Sequence, residues 1–196
     1  MKSVYLILTK SKTFISRLID YSSPSYYTHS SISFDSNIDG MYSMGRKYAY
    51  LMIPAYLKKE YLDKGFYYHF DQTRMGIYSF EVSDESYINM KNYVDELFKN
   101  NKKIRYSTLG LFYIKLNIKK TRKNKMFCSE FVCNVLKRAN ENLIDFEPEL
   151  CRPTDLLNVR GLKCHYVGKV CDVVQMKKSG QFDKIYDQVL DVSYDE

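Results

Sequence analysis

Long apolar runs are missing from this chain, and no stretch approaches the ~20 residues that a membrane-spanning helix needs. The opening MKSVYLILTKSK holds a single apolar run of about five residues before Thr9 and Lys10, short of the roughly 7–15 of a secretory leader. Cysteine lacks regular spacing. Cys128, Cys133, Cys151, Cys164 and Cys171 are an odd set, which argues against a disulfide framework and predicts a reduced, cytoplasmic protein. Tryptophan is absent, but 19 tyrosines and 11 phenylalanines hold aromatic content at 15%, which argues against disorder. Internal repeats, low-complexity segments and clear linkers are also missing.

What is present fits one globular domain. Hydrophobic residues make up 45% of 196, enough for a core without staples. Net charge is +7 and the excess is partly local, in KLNIKKTRKNK (115–125). Such a balance is compatible with anionic partners and says nothing about fold. The usual meaning of such a run is a solvated loop, and it gives no strong nucleic-acid signal. SVYLILT reads as a buried strand and SKTFISRLIDYSS as a helix. YYTHSSISFD alternates, with His29, Ser31 and Ser33 on one face and Ser30, Ile32 and Phe34 on the other; after the turn DSNIDG, MYSMGRK returns as a hairpin strand. Residues 48–74 are aromatic and irregular, expected as a long loop or short helices over the core. MGIYSFEV is a strand, and Ser83 caps a helix running to about Lys99 with Tyr87, Met90, Val94 and Leu97 as its apolar stripe. YSTLGLFYIKL is ambiguous, RPTDLL opens a short helix, and LKCHYVGKVCDVV reads as one or two final strands. The order is that of an α+β domain over residues 1–175, with 176–196 as a C-terminal extension or tail.

KMFCSEFVCNVLKRAN (125–140) carries the most informative cysteine. At about 100° per residue, Phe131, Val132, Val135, Leu136 and Ala139 fall within about 80° of Cys128, while Glu130 and Cys133 point elsewhere. Cys128 is then either a small apolar residue on the inward stripe, or a thiol whose ionised form is favoured by the free N–H groups and dipole of a helix N-terminus. A cysteine nucleophile needs a histidine to move its proton. The three candidates are His29 on the polar face of its strand, His69 in FYYHF, and His165 beside Cys164. Cys164, His165 and Cys171, with Cys151 upstream, match no common zinc spacing, so no metal or cofactor is expected.

YTHSSISFD, MYSMGRK, FCSEFV and RPTDLL, in that order and with about 100 residues between histidine and cysteine, resemble the permuted branch of the NlpC-type papain-like superfamily (YiiX/YebB-like). Members of this branch, and the lecithin retinol acyltransferase relatives, place the histidine hairpin before the cysteine helix. The resemblance spans roughly residues 3–170. It implies a circularly permuted papain-like fold, an antiparallel sheet packed against helices. It implies a thiol hydrolase, an amidase or peptidase, with Cys128 as nucleophile and His29 as base. Acyl transfer to lipid or peptide, or a catalytically weak binding module, are the alternatives within the same fold. Ser43, on the return strand, falls where family members orient the imidazole with His, Asn, Gln or Glu. Arg46 just past that strand and Lys125 just before the nucleophile are candidate substrate contacts. The expected partner is a peptide, amide or lipid-ester substrate, with an anionic surface as a second partner for the basic run.

Overall fold

The computed structural model describes residues 1–10, 26–46, 55–99, 105–106, 118–119 and 125–191. The helix expected in SKTFISRLIDYSS lies outside the described residues, as do residues 107–117 and, within the basic run, Lys115, Lys120, Arg122 and Lys123.

The apolar run near the start becomes β1 (Lys2–Lys10), which lies inside a six-stranded antiparallel sheet. Its neighbours are β2 (His29–Ser33) and β5 (Arg74–Val82). Outside β2 come β3 (Met41–Arg46) and β4 (Ala55–Glu60); outside β5 comes β8 (Lys163–Lys169). A separate two-stranded parallel pair joins β6 (Arg105–Tyr106) to β7 (Lys125–Met126).

Both faces of β1 are covered, which is why its sequence is a continuous apolar run and not an alternating one. Val4, Leu6 and Leu8 pack with Ile32, Phe80, Met90 and Val94 of α2 (Asp84–Lys99), and Phe131 and Val132 of α3 (Cys128–Leu136). On the other face, Ile7 packs with Met75, Ile77, Tyr67 of α1 (Phe66–His69), and Val170 and Val173 of α4 (Val170–Lys178). The expected cap of α2 is formed, with the Ser86 N–H donating to Ser83 Oγ at 3.2 Å.

Two expectations are revised. Residues 48–74 are not only loop and short helix, because 55–60 form β4 at the sheet edge. Its paired Lys58 and Lys59 mask the buried Ala55 and Leu57, and lysine is a common residue on edge strands. The segment after β8 is helix, not a second strand: Val170, Val173 and Val174 recur at helical spacing and turn onto the second core. The expected boundary near residue 175 therefore falls inside α4. Beyond it, Phe182 and Ile185 of a 3₁₀ turn join the same core, and the Leu190 N–H donates to the Cys164 carbonyl at 2.7 Å.

The α3 helix is apolar on more than one stripe. Eight of its nine residues are buried, Glu130 and Cys133 among them. Glu130 accepts a hydrogen bond from the Phe127 N–H at 3.2 Å, and Ser129 Oγ donates to the Cys151 carbonyl at 2.6 Å. Those bonds and the packing of Phe131 fix where Cys128 stands. Phe131→Ala is expected to destabilise the fold by about 3–5 kcal/mol, the usual cost of such a cavity. Equilibrium urea denaturation checks this; a loss below about 1 kcal/mol contradicts the seating of α3 described here.

Candidate active site

The strand register brings the site residues into line. Ile32 pairs with Tyr42, which sets Ser43 opposite Ser31 and Gly45 opposite His29. Ser43 in turn pairs with Lys58 of β4. His29, Ser31, Ser43, Gly45, Lys58 and Glu60 therefore project from one face across three neighbouring strands.

Glu60 occupies the centre of this array. Its Oε2 lies 2.9 Å from His29 Nε2 and accepts a hydrogen bond from Ser31 Oγ at 3.1 Å. Lys58 Nζ stands 3.6 Å from Oε1. With Nε2 committed to Glu60, Nδ1 is the ring nitrogen left for Cys128, whose sulfur is near enough for the two groups to favour each other's charged forms. The backbone N–H groups of Ser30 and Ser129 also support the Cys128 sulfur. Cys128 itself is 3% exposed, and a quarter of the His29 side chain reaches solvent.

The electrostatics follow from these contacts. Burial opposes ionisation of all three groups, and the partners overcome it. Glu60 and the Cys128 sulfur raise His29 from 6.5 to about 10. The imidazolium, Lys58 and Ser43 lower Glu60 from 4.5 to about 2. His29 and the two N–H groups pull the Cys128 thiol below its ordinary value. Burial and the Glu60 charge hold the Tyr67 hydroxyl protonated. That hydroxyl lies 3.4 Å from Thr9 Oγ1 and roofs the array from α1.

Carboxylate reach depends on Gly45. A Cβ there would sit 2.6 Å from Glu60 Oε1 and 2.7 Å from Lys58 Cε. Ser43 stands behind the carboxylate and not on the imidazole; its Oγ is buried, helps keep Glu60 charged, and makes no hydrogen bond of regular geometry.

The structure thus brings Cys128 and His29 together, and the group on His29 Nε2 is Glu60 where the hairpin pattern pointed to Ser43. Glu60 had one sequence signal, being the only carboxylate between Asp39 and Asp63. Arg46 ends β3, and its side chain lies outside the described residues. Lys125 is exposed on β7 and, among the described residues, enters none of the hydrogen bonds or ion pairs of this cluster. Lys119 of the basic run pairs with Glu147 at 2.9 Å. His165 stands apart, its Nε2 2.6 Å from Ser79 Oγ and its Nδ1 3.2 Å from the Gln188 carbonyl. Among the described residues, no three His, Cys, Asp or Glu side chains gather as metal ligands. Nor is any helix among them long and apolar enough to cross a membrane.

No family model matches the chain, and no curated protein matches it. A crystal structure described as metalloprotein YiiX of Escherichia coli O157:H7 (DUF1105) superposes with a TM-score of 0.50 at 14% identity, covering 83% of this chain and 95% of that one. The fold is papain-like. At that identity the likeness concerns architecture alone. The metal in the description of YiiX has no matching ligand cluster among the residues described above.

Three outcomes follow from the charge array. His29 is raised on folding, so its stabilisation is complete below pH 6.5 and lost as pH climbs toward about 10. Glu60 is depressed, so its contribution is complete above 4.5 and lost as pH falls toward about 2. Stability is expected to peak between those limits, near pH 4.5–6.5. In Glu60→Gln the His29 titration, followed by NMR, should drop toward 6.5; an unmoved titration contradicts the assigned cause. Gly45→Ala should also lower the His29 pKa, because the new methyl displaces the carboxylate. An unchanged His29 titration in a folded Gly45→Ala protein shows that the close approach is unnecessary.

Proposed function

We propose that the protein is a cysteine hydrolase acting on an amide or ester carbonyl through Cys128 and His29. The observation that carries this reading is the buried Cys128–His29–Glu60 series, in which each group shifts the next toward its charged form. A thiol pulled down beside a protonated imidazole is an activated nucleophile. The papain-like architecture supports the same reading by analogy of fold. The NlpC-type kinship and a cytoplasmic setting belong to this proposal.

The Cys128 thiolate attacks the carbonyl carbon, and the carbonyl electrons move to oxygen. The Cys128 N–H, at the first position of α3, is directed to hold that oxyanion. His29 gives its Nδ1 proton to the leaving group, whose bond to carbon then breaks, and a thioester remains. His29 is now neutral, and the sulfur no longer carries the charge that kept the imidazole protonated. The ring can therefore take a proton from water as it attacks the thioester; the C–S bond then breaks, the acid leaves and the Cys128 sulfur and imidazolium are restored, and an alcohol or amine in place of that water gives acyl transfer. Glu60 acts as positioning residue throughout, holding Nε2–H and so leaving Nδ1 toward sulfur. Ser31 in turn holds Glu60 by its hydroxyl. The substrate approaches along the exposed edge of His29, since Cys128 is almost wholly covered.

Alkylation by iodoacetamide with mass mapping tests the assignment. Cys128 should react fastest of the five thiols near neutral pH, on a profile whose rise lies below that of an ordinary thiol. His29→Ala should cost on the order of 100-fold in rate near neutral pH. If Cys128 is no faster than the partly exposed Cys171, or the His29→Ala profile matches wild type, the dyad is not an active pair.

A further inference from the structure

The strand register sets three cations side by side at one end of the sheet. Lys10 of β1 pairs with Arg74 of β5, and Arg74 pairs with Lys169 of β8. Directly paired residues send their side chains to the same face. Counting in twos from Leu8, Tyr78 and Val167, that face is the one covered by α3. The end is the one that holds the site, because Thr9, the residue before Lys10, pairs with His29. Arg74 is exposed, yet its guanidinium is held 3.8 Å above the Tyr26 ring. A ring face steers a cation without neutralising it. Lys169 is exposed as well. Among the described residues neither Arg74 nor Lys169 forms an ion pair with a carboxylate. The acids nearest them in the chain serve groups on the side of the second core: Asp71 acts on Cys171, and Asp172 accepts a hydrogen bond from the Tyr166 hydroxyl at 3.4 Å.

Like charges directly opposite each other on neighbouring strands repel. The row is therefore a cost to the fold, and an external anion relieves it. Three strands span about 10 Å, so the row meets several anionic groups laid out on a surface and not a single carboxylate. We infer that this end of the sheet docks on an anionic lipid bilayer, with Lys10, Arg74 and Lys169 against its phosphate-bearing headgroups. The choice of a bilayer rests on the hydrolase reading above. A bilayer presents acyl esters beside its phosphates, and an acyl carbonyl is what Cys128 attacks in that reading; nucleic acid presents phosphates alone. Docking at this end sets the start of β2, and His29 with it, toward the lipid. The net charge of +7 steers the chain to the same surface.

Co-sedimentation of the intact chain with vesicles tests this, with phosphatidylcholine alone against phosphatidylcholine mixed with phosphatidylserine. The chain should partition about tenfold or more in favour of the mixed vesicles, since each cation near such a surface adds roughly fivefold. Added salt should shrink that gain. Net charge alone supplies part of it, so the deciding variant is Arg74→Gln with Lys169→Gln. Its control is Lys91→Gln with Lys178→Gln, which removes the same charge from exposed positions on α2 and α4. The row variant should lose on the order of tenfold in partition and the control far less. Both should keep the wild-type rate of Cys128 alkylation by iodoacetamide, which shows the fold and the dyad intact. Equal partition of the wild type on the two kinds of vesicle overturns the inference, as does an equal loss in the row variant and the control. Tight binding of a single-stranded oligonucleotide that the row variant loses, with no gain on the mixed vesicles, assigns the row to nucleic acid and overturns it too. Failure of the hydrolase reading looks different. Cys128 then reacts no faster than Cys171, while a vesicle gain that depends on Arg74 and Lys169 leaves the docking surface standing.

Discussion

The contact between His29 Nε2 and Glu60 Oε2 is the interaction on which the site depends. Burying one charge in a protein interior is costly, and a buried pair is tolerated only when its remaining polar groups are also satisfied. With the Cys128 thiol ionised, four charges alternate in sign and sum to zero: the sulfur, the imidazolium, the Glu60 carboxylate and the Lys58 ammonium. Ser31 adds a hydroxyl donor to Glu60, and the Ser30 and Ser129 N–H groups serve the sulfur. Remove Glu60 and the imidazole loses the largest of the partners that together outweigh its desolvation. The thiol then loses its cation, and both groups revert toward neutral forms.

That contact constrains the sheet around it. His29 is on β2 and Glu60 on β4, so the carboxylate has to pass over β3. The residues of β3 on that face, Ser43 and Gly45, are small, and at Gly45 even a methyl group would collide with the carboxylate. The hairpin pattern leads one to seek the orienting group on β3, next to the histidine strand. The structure moves that function one strand outward and leaves β3 as the gap through which it reaches. Ser43 is buried for the same reason: it lines the passage of a carboxylate that comes from beyond it.

Different physical signals explain which parts were legible. Cys128 and His29 sit in segments with strong periodicity, an alternating strand and an apolar helix, so their positions on a face follow from spacing alone. β1, β5 and α2 are legible for the same reason, and the Ser83 cap is formed where its residue type places it. Glu60 sits in an edge strand whose alternation is broken by two successive lysines and surrounded by tyrosines, so period 2 is hidden. The helix α4 was hidden differently. Val170, Val173 and Val174 are β-branched, and propensity reads them as strand, while burial against Ile7 and Ile77 is a tertiary fact that no local window contains. The small cavity lined by Glu60 and Tyr67 depends on β4 and α1 meeting, which is likewise non-local.

A neutral charge series has a consequence for what the site can accept. The four alternating groups can hold one substrate carbonyl and its developing oxyanion, but they have no spare cation for a second negative charge. His29 is held by Glu60 on one side and spends its proton on the leaving group on the other. Any anionic substituent on the donor must therefore find its counter-charge outside the series.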